Sequence, residues 1–89
     1  MQTTAHNIET VLMAKFAPHK LSVVDDSSKH AGHSGAREGG NSHFTVRIVS
    51  DQFEGLNRVA RHRAVYDALQ EFFAEGLHAL AIDAKTLSE

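Results

Sequence analysis

Histidine is the residue with the most chemical potential in this chain. There are seven among 89 residues, and there is no cysteine. Three of them, His30, His33 and His43, fall in one stretch, Ser27 to His43, which also holds four of the six glycines and no aliphatic residue larger than alanine. Such a stretch cannot bury a face, so it is expected to be a long loop, and long loops in small domains tend to be functional or disordered. Neutral imidazole is a good ligand for zinc and iron, and closely spaced imidazoles on a glycine-rich backbone suit metal binding. His62, inside Arg61-His62-Arg63, and His78, just after Gly76, are two further candidates. The absence of cysteine excludes a disulfide, a thiol nucleophile and any thiolate metal site supplied by this chain alone. A soft-metal site would need a partner's sulfur.

These groups need a scaffold, and the length allows one small domain over residues 1–89 with a single modest core. The formal charge of -2 gives no overall attraction to a nucleic-acid backbone, so any such binding would rest on a local patch, for which Arg58, Arg61 and Arg63 are the candidates. No apolar run reaches membrane-spanning length, and the first residues have neither a basic nor an apolar leader region. A soluble cytoplasmic protein is expected.

Ile8, Val11, Leu12 and Phe16 recur at helical spacing, with Thr3, Thr4 or Asn7 as caps and Glu9 in the first turn; Ala17-Pro18 ends the helix. Leu21 to Asp25 has the character of a short strand running into the loop. Phe44, Val46 and Ile48 alternate with Thr45, Arg47 and Val49, the clearest strand in the chain. Phe53-Glu54-Gly55 reads as a turn with an aromatic anchor. From Asn57 to Glu75 one long helix is expected, with Val59, His62, Tyr66, Leu69 and Phe73 on its buried stripe, Val65 and Phe72 beside it, and Gly76 as its C-cap. Leu77 to Thr86 alternates again, with His78, Leu80 and Ile82 sharing a face. The order is helix, strand, strand, helix, strand.

His-Ala-Gly-His at 30–33, Ser-His-Phe at 42–44, Ile-Val-Ser at 48–50, Phe-Glu-Gly at 53–55, Arg-His-Arg-Ala-Val-Tyr at 61–66 and Gly-Leu-His-Ala-Leu at 76–80 together resemble the BolA family. The resemblance runs from about residue 8 onward. It implies an α+β fold of αββαβ order, related to the class II KH domain, with helices on one face of a three-stranded mixed sheet whose third strand is parallel to the second. It also implies a non-enzymatic partner of a monothiol glutaredoxin, monomeric alone, that shares a [2Fe-2S] cluster in a heterodimer for cluster handling or iron regulation. The family ligand positions match His30 in the loop and His78 before the last strand, and His33 is an alternative to His30. The remaining ligands would be the glutaredoxin cysteine and glutathione, since cluster iron accepts imidazole in place of thiolate. The lone chain should then hold no cluster.

Two other classes stay open. The family's association with transcriptional regulation, the helix-turn-helix-like region and Arg58, Arg61 and Arg63 suit a DNA-binding regulator. A KH-type RNA site would want Gly-x-x-Gly, and here Arg58 stands where the second glycine would fall after Gly55. A zinc hydrolase could be built from His30, His33 and His43 or His78, but only Asp25, Asp26 and Glu38 lie near as general bases and no nucleophile motif occurs. Each histidine also has a plainer role: His30 and His33 in a solvated loop, His78 as a partly buried strand-end residue, His43 as structural, and His62 as a half-buried side chain that fixes the helix to the sheet.

Overall fold

The computed structural model describes residues 2–26 and 43–89. Its first helix, α1 (Ala5–Phe16), starts where the Thr4 hydroxyl accepts the Asn7 amide at 3.1 Å, and it buries Ile8, Leu12 and Phe16. Beginning at Ala5, it leaves Glu9 beyond the first turn in which it was expected. Ala17 closes the helix with φ of 43°, its amide donating to the Met13 carbonyl, and Pro18 prevents continuation.

Strand β1 (Lys20–Asp25) pairs antiparallel with β2 (His43–Val49), and β3 (Ala79–Lys85) pairs parallel with β2, giving the order β1-β2-β3. The register aligns Val23 with Val46 and Ile82, and Leu21 with Ile48 and Ala84. These residues, with Phe44 and Leu80, make one apolar face, and α1 and the later helices complete its core through Ile8, Leu12, Phe16, Val65, Leu69 and Phe72. The other face carries exposed Ser22, Val24, Arg47, Asp83 and Lys85. The fold is the expected α+β arrangement with a three-stranded mixed sheet.

Ser50 follows β2 and is fully buried. Its hydroxyl donates to the Phe16 carbonyl at 2.7 Å and accepts the Gln52 amide at 3.1 Å, which fastens the end of α1 to a 3-10 turn, Asp51–Phe53. Phe53 is buried with its ring 5.2 Å from that of Phe16, and Gly55 takes the positive φ of 77° that the turn requires.

The expected long helix is two: α2 (Arg58–Ala68), capped by the Asn57 side chain, and α3 (Gln70–Ala74), divided at Leu69. The expected buried stripe is also turned. Val59 is 64% and Tyr66 39% exposed, whereas Val65, Leu69 and Phe72 are fully buried. The inward row is Arg61, Ala64, Val65, Ala68, Leu69 and Phe72, at the spacing of a helix face. Two alanines let α2 come close to the sheet, and their small side chains hide the true face from a reading that weights bulk. After α3, Gly76 at φ 111° and the Leu77 amide bonded to the Phe72 carbonyl at 2.9 Å form a Schellman ending, with Leu77 buried. The final strand therefore starts at Ala79, so His78 precedes it instead of sharing its alternation.

Candidate functional site

The parallel pairing of β2 and β3 sets the geometry of the first candidate site. His43 is in register with Ala79, so His78 arrives beside the start of β2, and the two imidazole rings lie 5.3 Å apart, tilted by 50°. His43 is buried at 6% exposure, and His78 is exposed. The Asp26 amide donates to the His43 carbonyl at 2.8 Å and extends the β1–β2 ladder by one residue. The Asp26 carboxylate also accepts a hydrogen bond from the Thr45 hydroxyl. Asp26 and His43, the described residues on either side of 27–42, are thus tied together, and the His43 ring lies against that of His78. The Tyr66 hydroxyl steadies this end by donating to the Leu80 carbonyl at 3.2 Å, while the Tyr66 ring stacks on Phe73.

His30 and His33 lie outside the described residues. Among the described residues no group of three or more His, Asp or Glu side chains is placed to hold a metal ion, and the zinc-hydrolase arrangement, which needs His30 and His33, lies in part outside them. The donor chemistry does fit half of a shared iron–sulfur site. An exposed imidazole can serve one iron, and a chain without cysteine must take its thiolates from outside.

The second candidate is at the other end of the sheet. Arg58 and Arg63 are exposed on α2, and Val59, His62 and Tyr66 share their outward side. Arg61 points the other way. Its side chain is only 14% exposed, with Nε donating to the Leu56 carbonyl at 2.9 Å and Nη1 to the Ala84 carbonyl at 3.2 Å. Its fork also grips the Glu89 carboxylate, Nη1 to Oε1 at 2.6 Å and Nη2 to Oε2 at 3.1 Å. The guanidinium beside Glu89, together with the Thr86 amide, holds that carboxyl at about 2, well below its ordinary value. His62 is half-buried on the side of α2 that carries Val59 and Tyr66, not in the row that packs against the sheet.

A BolA-like protein family model matches residues 12–89. The chain belongs to the BolA-like protein family. It is 42% identical over 82 residues to the DNA-binding transcriptional regulator BolA of Escherichia coli, covering 92% of this chain and 74% of that protein. It is 46% identical over 86 residues to SufE-like protein 1 of Arabidopsis thaliana, covering 92% of this chain but only 23% of that longer protein. The solved BolA domain of SufE1 from Arabidopsis thaliana superposes with a TM-score of 0.88 at 43% identity, covering 99% of this chain and 96% of that one. The element order and mixed sheet of this BolA-like chain are therefore those of its relatives.

Two neighbours were missed in the sequence. His43, read as structural, is also the ring against His78, and the signal was available: a last strand parallel to β2 brings the residue before Ala79 beside the start of Ser-His-Phe. Glu89 as the partner of Arg61 carried no local signal, because the two are 28 residues apart and meet only through the path of β3.

Proposed function

We propose that this BolA-like chain is cytoplasmic and is the imidazole-bearing half of a [2Fe-2S] site shared with a monothiol glutaredoxin and glutathione. His78 is one ligand, and His30, with His33 as its alternative, is the other. The observation that carries this reading is the exposed His78 imidazole beside His43, which is itself bonded to Asp26, the described residue on the other side of 27–42. When bound, the cluster supplies one-electron chemistry and a transferable iron–sulfur unit. The chain's own part is to hold neutral imidazoles toward the partner's thiolates, with the sheet fixing His78. Cluster handling or iron regulation follows from such a heterodimer, and the chain alone is a colourless monomer.

The test is reconstitution with a monothiol glutaredoxin and glutathione. His78→Ala should abolish the heterodimer's visible cluster spectrum while circular dichroism stays that of the folded protein, because the side chain is exposed. His30→Ala should weaken or alter the spectrum, with His33 compensating in part. An unchanged spectrum in the His78 variant removes that residue from the site, and a stoichiometric cluster on the lone chain overturns the shared-site reading.

A second reading, DNA binding, is supported by the Escherichia coli relative's name and by the exposure of Arg58 and Arg63 on α2. It predicts mainly electrostatic affinity that falls steeply with salt.

A further inference from the structure

Glu89 makes contacts of the kind a bound oxyanion would make. Its Oε1 accepts from Arg61 Nη1 at 2.6 Å, from the Thr86 amide at 2.8 Å and from the Thr86 hydroxyl at 3.1 Å; its Oε2 accepts from Arg61 Nη2 at 3.1 Å. Thr86 is buried and Arg61 nearly so, and Arg61 is fixed from behind by the Leu56 and Ala84 carbonyls, so the donors are held in place without Glu89. The carboxylate is different: Glu89 remains 44% exposed. An ion pair with one partner so exposed is screened and exchanges easily. The cradle opens on a cleft of about 390 Å³ whose lining includes Arg58, His62 and Lys85. Asp83 lies there too, with Lys85 Nζ 3.9 Å from its carboxylate to balance its charge.

We propose that Arg61 and Thr86 form an oxyanion site for a nucleic-acid backbone phosphate, and that Glu89 is its built-in occupant, displaced when DNA binds. The proposal rests on the DNA-binding reading and gives it a gate. A guanidinium fork that takes a carboxylate two-pronged takes a phosphate in the same way, and backbone amide and hydroxyl donors suit either. With Glu89 seated, only Arg58 and Arg63 of the three α2 arginines are open to a backbone. With it displaced, Arg61 adds one phosphate contact and the cleft loses one negative charge.

Glu89→Gln removes that charge while keeping the side chain's size. Binding to two duplexes of unrelated sequence, titrated with salt, should tighten for both, and the slope of log affinity against log salt should steepen by about 0.9. The gain over wild type should accordingly shrink roughly threefold between 50 and 200 mM salt. The gain should disappear when Arg61→Gln is added to Glu89→Gln, and circular dichroism confirms that each variant is folded. If wild type binds and Glu89→Gln leaves affinity and slope unchanged, the gate is wrong and the DNA reading stands. A gain that survives loss of Arg61 reports general charge and also overturns the gate. If neither protein binds either duplex at low salt, the DNA reading fails and the gate with it.

Discussion

Ser50→Ala changes one oxygen at the junction that carries α2, and its cost can be worked through from the contacts. The residue is fully buried, so its hydroxyl is not replaced by water. Loss of the 2.7 Å bond leaves the Phe16 carbonyl, one of the orphan acceptors at the end of α1, without that donor. Leaving such a group unsatisfied costs about 1–3 kcal/mol. The Gln52 amide loses its 3.1 Å acceptor as well, but Gln52 is exposed and rehydrates, so this bond adds only about 0.5 kcal/mol. The Ser50 amide keeps its 2.9 Å bond to the Lys85 carbonyl, and alanine leaves almost no cavity. The sum is about 2.5 kcal/mol, which in a domain of this size lowers Tm by roughly 10–20 °C. Urea denaturation should show a lower midpoint with an unchanged m-value. A loss below about 0.5 kcal/mol, the range of ordinary surface substitutions, would refute the reasoning, because it would mean that the Phe16 carbonyl finds another donor at no cost. Seven strand residues separate this junction from the His43 end, a span of about 20 Å, so the proposed cluster should form on the folded variant to the same extent as on wild type.

Two other expectations concern the same half of the molecule. Glu89 titrates at about 2 because Arg61 and then Thr86 bond its charged form. The folded value lies below the ordinary 4.5, so the stabilisation is fully present above about 4.5 and is lost as pH falls toward 2. The Tm difference between wild type and Glu89→Gln should be small, sensitive to salt, and should close across that window; a difference that persists unchanged at the acid end would exclude the ion pair as its source. Gly55 has φ of 77° with open space where a Cβ would stand, so Gly55→Ala should cost about 1–2 kcal/mol of backbone strain and Gly55→Asn distinctly less. Equal losses in chemical denaturation would point to a contact and not to the backbone angle.

What could be read from the sequence, and what could not, divides along physical lines. Ile8, Leu12 and Phe16 on one helix face, Pro18 as a stop, and the alternation of Phe44, Val46 and Ile48 are local patterns of large apolar residues, and each element appears where its pattern lies. Helix α2 misled because its buried row is poor in bulk, with Arg61, Ala64 and Ala68 inside while Val59 and Tyr66 face solvent. An arginine can occupy such a row only if backbone carbonyls and a carboxylate receive it, and those come from Leu56, Ala84 and Glu89, which no helical period reveals. The same strand that supplies these partners also determines the other site. β3 begins beside the His43–His78 pair and ends, through Lys85 and Thr86, beside Arg61 and Ser50. Its parallel pairing with β2 sets both sites at once, one at each end of the sheet. A shift of β3 by one residue would move His78 away from His43 and Thr86 away from the cradle together. The short loop after α3, closed by Gly76 and the buried Leu77, fixes that register, so the residues that decide where the chemistry lies are apolar and carry none themselves.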